Sequence, residues 1–172
     1  MIPEVRSSPP LPHVNKKALV KKIVTQLIGE LDLYIKASRA AHAEATHEQS
    51  KAENKYDTRG LEASYLARGQ SKQAAETEKA IKQFEKLELK KFEPGTPIDL
   101  TAVIELESKK ERSIYFMAPC AGGTEVRHGK QDLLVITPQS PLGQQLLGKR
   151  QGDKLRMEIG GTRDDYTILS VC

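Results

Sequence analysis

The chain has 172 residues, a net charge of +4 and only 5% aromatic residues, with no tryptophan. This length suits one ordinary domain or two small ones, and the composition offers little material for one large core. The mildly basic balance permits contact with nucleic acid, DNA included, without requiring it. Cys120 and Cys172 stand far apart, which argues against a disulfide framework and against a four-ligand zinc site.

The N-terminus lacks the apolar core of a signal peptide, and no apolar run approaches membrane-spanning length. The sequence therefore predicts a cytoplasmic protein without membrane association. Residues 1–14, which are rich in proline, predict a flexible leader. Asn15 can then cap a helix, and the next proline is Pro94. We expect a helical hairpin over residues 15–90 with its tip near 48–60; a helix from Asn15 to Glu53 would be about 58 Å long.

Two rows of side chains repeat at steps of three and four residues, the spacing of a coiled-coil seam. The first row consists of Val20, Val24, Leu27, Leu31, Tyr34, Ser38, Ala41 and Ala45. The second row consists of Ala67, Gln70, Ala74, Thr77, Ile81 and Phe84. The first row changes from large residues to small ones, whereas the second becomes apolar toward its end. The rows match in size only if the helices run antiparallel, with a turn between Gln49 and Gly60.

The segment from Leu87 to Gly95 predicts a linker, and residues 96–172 predict a second domain. Strand-like patterns rich in β-branched and aromatic residues cover 98–106, 112–117, 133–136, 155–159 and 166–169. Glycines at 122–123, 129 and 160–161 indicate turns. A short helix is expected from Pro141 to Leu147, with Ser140 as its N-cap and Gly148 as its C-cap. The predicted class is α+β, a helical hairpin followed by a small antiparallel β domain.

The segment from Ser140 to Asp153 resembles the C-terminal signature of the Gre transcription elongation factors, the GreA and GreB type. In that family a Ser-Pro opens a short helix, a Leu-hydrophobic-Gly-Lys closes it, and a Gly-Asp starts the next strand. The matching positions here are Ser140, Pro141, Gly148, Lys149, Gly152 and Asp153. The resemblance implies an N-terminal antiparallel coiled-coil hairpin and an FKBP-like C-terminal domain.

The hairpin carries a second match, because residues 43–45 and 50–54 resemble the family's tip, where an Asp, two residues and a Glu-Asn mark the turn. In cleavage-competent members the tip Asp and Glu help to hold a second Mg²⁺ in the polymerase active centre. Two-metal chemistry needs anionic oxygens aimed at the ion. Here Ser50 stands at the position of the Asp, whereas Glu53 and Asn54 are retained.

Asp57 lies four residues after Glu53, so a helical turn would place both carboxylates on one side. Glu53, Asp57 and Glu48 are the acidic candidates at the tip, with Glu62 beyond them, and Glu53 and Asp57 are the candidate Mg²⁺ ligands within a polymerase complex. Arg59 either stabilises the turn or contacts a transcript phosphate or a polymerase loop. The alternative is that these residues are solvated charges at a helix end.

The resemblance implies a monomeric binding factor that enters the secondary channel of bacterial RNA polymerase and meets nascent RNA indirectly. Such a factor has no catalytic residues and no cofactor of its own, since the polymerase active centre, with its Mg²⁺, would cleave the transcript. Ser50 leaves cleavage, inhibition and altered initiation open. Two alternatives remain: a peptidyl-prolyl isomerase, whose pocket would have only Tyr115, Phe116 and Tyr166 as aromatic walls, and a coiled-coil adaptor.

Overall fold

A computed structural model describes residues 14–48, 58–109, 111–129 and 131–172. The helices are α1 (Lys16–Thr46), α2 (Arg59–Glu85) and α3 (Pro141–Leu146). The strands are β1 (Val103–Glu107), β2 (Arg112–Met117), β3 (Glu125–His128), β4 (Gln131–Ile136), β5 (Lys154–Ile159) and β6 (Thr162–Val171). The chain divides into two compact units, residues 21–87 and residues 88–172 with the segment up to Val20. The predicted leader lies outside the described residues except for Val14, and no described helix meets the length and hydropathy of a membrane span.

Helix α1 begins where the sequence predicts, because the Asn15 side chain accepts a hydrogen bond from the Ala18 N–H at 3.1 Å. Its 31 residues give a length of about 46 Å at the standard rise. The prediction that it continues to Glu53 is wrong, since the helix ends at Thr46. There the Thr46 hydroxyl lies 3.0 and 3.3 Å from the carbonyl oxygens of His42 and Ala43. Ala43 is one of the last four residues, whose carbonyls lack a partner within the helix.

The buried row of α1 departs from the predicted one at its N-terminal end. Its buried side chains are Leu19, Ile23, Leu27 and Ala41, whereas Val20 and Val24 are only partly buried. The difference is confined to the one heptad before Leu27. In each of its two adjacent apolar pairs the larger side chain is the buried one, Leu19 beside Val20 and Ile23 beside Val24, which removes more apolar surface from water.

The seam of α2 is confirmed. Ala67, Thr77, Ile81 and Phe84 are buried, Gln70 and Ala74 are partly buried, and Ala63 and Ala80 join them. The Ser38 hydroxyl lies 3.2 Å from the Ala67 carbonyl oxygen, to which it can donate, and 2.7 Å from the Ser71 hydroxyl. One groove is lined by α1 residues between 38 and 46 and by α2 residues between 64 and 71. The helices thus pack side by side in opposite directions.

The six strands form one sheet in the order β3-β4-β2-β1-β6-β5. Four of the neighbouring pairs are antiparallel, as predicted, but β2 and β4 pair in parallel. Strand β3 was not predicted because its sequence, Glu-Val-Arg-His, is mostly polar and buries only Val126 among its described side chains. The α+β class is confirmed.

The strand predicted for residues 98–106 is shorter than expected, since β1 begins only at Val103. Thr101 has φ +72°, a conformation that a β-branched residue rarely adopts and that interrupts a strand. Ahead of it, Ile98 pairs with the loop after α3, because its N–H donates to the Lys149 carbonyl at 2.7 Å and its carbonyl accepts from Gly148 at 2.8 Å.

One face of the sheet carries the larger apolar core, which includes Ile104, Leu106, Met117 and Ile168, closed by Leu146 of α3. Phe92 of the predicted linker packs against this core. The linker is irregular, as expected, and it is also anchored to the C-terminal domain.

Candidate functional site: the hairpin tip and the C-terminal signature

The predicted tip residues Ser50, Glu53, Asn54 and Asp57 lie within residues 49–57, outside the described part of the chain. Their roles stay predictions. Glu48 is described, and it is exposed two residues after the end of α1. Its role as an acidic tip residue stays a prediction.

The second helix begins just after the tip. Arg59, predicted to support the turn, is the first residue of α2 and is exposed. The Thr58 hydroxyl donates to a carboxylate oxygen of Glu62 at 2.8 Å, and the Glu62 N–H donates to the Thr58 carbonyl at 2.9 Å. A carboxylate in the first turn is favoured by the helix dipole. Glu62 therefore has a structural partner at the start of the helix.

A groove of about 730 Å³ follows the line between the two helices near the tip, between residues 38–46 of α1 and residues 64–71 of α2. We call this part of the helix pair, together with the start of α2, the tip half of the hairpin. The floor of the groove consists of small side chains, and three of its lining residues, Arg39, His42 and Arg68, are basic and exposed. We did not predict this cluster, because the seam analysis followed only the buried positions. The sequence did contain a signal: Arg39 follows the seam residue Ser38, and Arg68 follows the seam residue Ala67.

The signature segment builds the start of α3 as predicted. The Ser140 side chain accepts a hydrogen bond from the Gly143 N–H at 3.0 Å and donates one to the Thr137 carbonyl at 2.7 Å. Pro141 is the first helical residue, the position where its missing N–H costs nothing. The hydroxyl of Ser140 thereby joins the helix to the end of β4.

The end of α3 lies one residue earlier than predicted, because the helix closes at Leu146 with Leu147 as its C-cap. Gly148 is the next residue, with φ +79°, the left-handed conformation that glycine adopts without strain. Lys149 contributes its backbone carbonyl, which accepts from Ile98.

Gly152 has φ +89°, and Asp153 closes the turn before β5. Its side chain accepts from the Arg150 N–H at 2.9 Å, and its carbonyl accepts from the Ile168 N–H at 2.9 Å. The described contacts of the signature positions are thus contacts that define the fold.

Gly143 belongs to the same construction, although we did not single it out. A Cβ atom at this position would lie 1.9 Å from the Thr137 carbonyl oxygen. Only a glycine lets the first turn of α3 approach the end of β4 this closely.

Residues 98–172 match the family model described as "Transcription elongation factor, GreA/GreB, C-term". This C-terminal domain belongs to the Gre family. The match includes all six signature residues of the Gre domain, so their resemblance is not a coincidence. The family that this domain matches is one of transcription elongation factors.

Among solved structures, the chain is similar to the GreA factor homolog 1 (Gfh1) protein of Thermus thermophilus, with 22% identity, a TM-score of 0.38, and coverage of 87% of this chain and 94% of that one. Thermus aquaticus Gfh1 gives 22% identity and a TM-score of 0.36, covering 90% and 94%. A prokaryotic transcription elongation factor GreA/GreB from Nitrosomonas europaea gives 18% and 0.34, covering 55% and 78%. No curated protein matches the sequence.

The three aromatic residues considered for an isomerase pocket do not lie together on one surface of the Gre domain. Tyr115 and Tyr166 belong to the large core, and burial raises the pKa of both. Phe116 follows Tyr115 on the same strand and therefore points to the opposite face of the sheet, where it is fully buried. A proline ring would find no shared aromatic wall among them.

Within the described ranges, no group of three or more His, Cys, Asp or Glu side chains is arranged to hold a metal ion. The carboxylates proposed as Mg²⁺ ligands, Glu53 and Asp57, lie outside those ranges.

Proposed function

We propose that this chain binds bacterial RNA polymerase by inserting its helical hairpin into the secondary channel, and that it modulates elongation there. The observation that carries the proposal is the presence, in one chain, of a GreA/GreB C-terminal domain and two long antiparallel helices. The buried side chains of the seam become smaller toward the tip, from Leu27 and Phe84 at one end to Ala41 and Ala67 at the other. Small seam residues allow a close approach of the two helices, which suits a narrow channel.

The chemistry is proposed for the tip carboxylates. Glu53 and Asp57 would each offer an oxygen ligand to a Mg²⁺ ion shared with the polymerase active centre, and Glu48 would add negative charge. The chain would contribute no catalytic residue and no cofactor of its own. It would act as a monomer and would meet nascent RNA only through the polymerase.

Backtracked elongation complexes with end-labelled RNA provide the test. We expect the wild-type protein to shorten the RNA, and we expect Glu53→Gln or Asp57→Asn to slow cleavage by about 10²-fold or more, a typical effect of losing one group that stabilises a transition state. Glu76→Gln is the matched control, since it removes one exposed carboxylate from α2 outside the tip. Cleavage that persists in both tip variants would contradict the assigned role of the carboxylates. Failure of the wild type to bind polymerase would contradict the whole proposal.

A second candidate function is regulation without cleavage, and Ser50 is the observation that favours it. A hydroxyl is a weaker Mg²⁺ ligand than the carboxylate that cleavage-competent relatives carry at the matching position. In that case the wild type should bind polymerase, slow elongation and leave backtracked RNA intact. Ser50→Asp should then confer cleavage, whereas Ser50→Asn, which has similar size and no charge, should not.

The isomerase alternative is disfavoured by the burial of Tyr115, Phe116 and Tyr166, because buried rings cannot line a pocket for a proline. The resemblance in fold does not support it either, since a shared fold does not carry an activity. A proline-peptide isomerisation assay with the full chain should show no acceleration over the uncatalysed rate. Any acceleration that saturates with peptide would reopen this alternative.

A further inference from the structure

A thiol and an amine are neighbours where α1 begins beside the end of β6. Cys172 follows β6, and its backbone exchanges two hydrogen bonds with Val103 of β1, at 2.8 and 3.0 Å. The Val14 N–H donates a hydrogen bond to the Cys172 thiol, and the charges of Cys172 and Lys16 act on each other. All four residues belong to the same compact unit. The fold of that unit therefore holds two nucleophilic side chains together.

The Lys16 amine is half-buried and has a defined position. Its Nζ donates to the Lys90 carbonyl at 2.8 Å and lies 4.4 Å from the centre of the Phe92 ring. The segment that carries both groups is itself anchored, since the Lys90 N–H donates to the Thr101 hydroxyl at 2.9 Å. Burial lowers the pKa of Lys16 to about 8, an effect that Cys172 partly opposes. At pH 8 about half of this amine is thus unprotonated, the form that acts as a nucleophile.

The thiol has the opposite shift. Burial raises the pKa of the Cys172 thiol, whereas Lys16 and the Val14 N–H partly oppose this. Thiols that sense oxidants have a lowered pKa, so oxidation is not the chemistry that this pair favours. A thiolate of higher pKa is the stronger nucleophile toward an electrophilic carbon or sulfur. A thiol beside an unprotonated amine suits the capture of an acyl group, because an amine displaces a thiol from a thioester.

We propose that Cys172 and Lys16 form a site at which a small acyl thioester acylates the protein, with the acyl group passing from the thiol to the amine. In the first step the Cys172 sulfur attacks the thioester carbonyl carbon. The bond from that carbon to the carrier sulfur breaks, and the carrier thiol leaves with the proton that Cys172 releases.

In the second step the unprotonated Lys16 nitrogen attacks the same carbonyl carbon. A C–N bond forms, the C–S bond to Cys172 breaks, and a proton from the amine returns to the sulfur. The products are an Nε-acyl-lysine and a restored Cys172 thiol. Nothing is oxidised or reduced, so the two steps need no reactant besides the thioester.

The advantage of the pair lies in the second step, which is intramolecular. Well-oriented groups within one molecule react as if one of them were present at a very high concentration, about 10⁵ M or more in favourable cases. The adjacent Lys17 is exposed and would have to meet the thioester from solution. The site does not depend on the proposed action on polymerase, because both of its residues belong to this chain.

The experiment is an incubation of the full-length protein with acetyl-CoA at pH 8, with peptide mass spectrometry to measure the rate of acetylation at each lysine. We expect Lys16 to be acetylated at least about tenfold faster than Lys17, and Cys172→Ser to slow the reaction at Lys16 by about tenfold or more. Cys120→Ser is the matched control, because Cys120 is also half-buried and burial raises the pKa of its thiol. It should change the rate at Lys16 by less than about twofold.

A second variant traps the intermediate. Lys16→Arg keeps the positive charge and cannot take up the acyl group, so acetate should accumulate on Cys172 as a thioester that hydroxylamine cleaves. Unchanged circular dichroism would show that each variant stays folded. The proposal would be overturned if Lys16 reacted no faster than Lys17, or if Cys172→Ser left the rate at Lys16 unchanged. The absence of a thioester on Cys172 in Lys16→Arg would also overturn it.

Discussion

The two halves of the hairpin differ in what their seams contain. The base half buries Ile23 and Leu27 from α1 and Ile81 and Phe84 from α2, whereas the buried residues described in the tip half are alanines, namely Ala41, Ala63 and Ala67. Burial of a large apolar side chain contributes about 1.5–3 kcal/mol, and an alanine contributes much less. Stability is thus concentrated in the base half, and the tip half can be narrow and carry exposed charges.

The largest expected effect tests the base half. Phe84 is almost fully buried, so Phe84→Ala should lower the free energy of unfolding of the hairpin by about 3–5 kcal/mol through lost burial and a cavity. Urea unfolding followed by circular dichroism at the helical band measures the change. Leu33→Ala, at a position that is 66% exposed, should cost less than about 1 kcal/mol. Equal losses in the two variants would show that stability is not concentrated in the seam.

A second substitution tests how tightly the tip half packs. Ala67→Leu should destabilise the protein by about 1–3 kcal/mol, because Ala67 is buried where α2 contacts Ser38 of α1 and the added carbons must displace their neighbours. The same change at the exposed Ala75 is the control and should be nearly neutral. A stabilised Ala67→Leu variant would indicate that the tip half has room for a larger seam.

The hydroxyl pair between Ser38 and Ser71 should contribute a smaller amount. Ser38→Ala removes two hydrogen bonds across the seam and should cost about 1 kcal/mol. A double-mutant cycle with Ser71→Ala isolates the interaction between the two side chains. A coupling energy of zero would mean that water replaces this contact without loss.

The smallest effect concerns Lys16, the first residue of α1. The Lys16 ammonium donates to the Lys90 carbonyl at 2.8 Å and lies 4.4 Å from the centre of the Phe92 ring. Burial lowers the pKa of Lys16 to about 8, an effect that the nearby Cys172 partly opposes. Between about 8 and the ordinary value of 10.5, the unfolded chain binds more protons at this lysine than the folded one, so its contribution to stability rises with pH.

The unfolding free energy of the wild type minus that of Lys16→Met should therefore become more positive by a few tenths of a kcal/mol per pH unit across that window, after allowance for solvent screening. Both proteins should carry Cys172→Ser, because burial raises the pKa of the Cys172 thiol and Lys16 partly opposes this, so that thiol would titrate differently without Lys16. The remaining groups that titrate in the same range are common to both proteins and cancel in the difference. Urea unfolding at pH 8, 9 and 10 measures the trend. A difference that stays constant or shrinks would contradict it.

Features that depend on neighbouring residues could be predicted from the sequence. The caps at Asn15 and Ser140, the glycine after α3 and the seam of α2 all follow from contacts within one or two turns. The misplaced start of the α1 seam shows the limit of this approach, because adjacent apolar residues such as Leu19 and Val20 fit the spacing about equally well and only packing decides which one is buried.

Features that depend on tertiary contacts could not be predicted. Thr101 keeps a positive φ because Met117 and Lys90 bind its backbone and its hydroxyl, respectively, and nothing in the local sequence announces this. Predicting that Arg39 and Arg68 line the same groove would have required the register between the two helices. The parallel pairing of β2 with β4 depends on a strand, β3, whose own sequence gave no signal.

The order of the strands has a consequence for folding kinetics. Strand β1 lies between its sequence neighbour β2 and the last strand, β6, and Val103 and Cys172 exchange two hydrogen bonds at 2.8 and 3.0 Å. Closing so long a loop is slow, whereas helices form within about a microsecond. In a refolding experiment the helical signal should therefore appear well before the near-ultraviolet signal of Tyr115 and Tyr166, since the core that these tyrosines share is complete only after β6 has paired with β1.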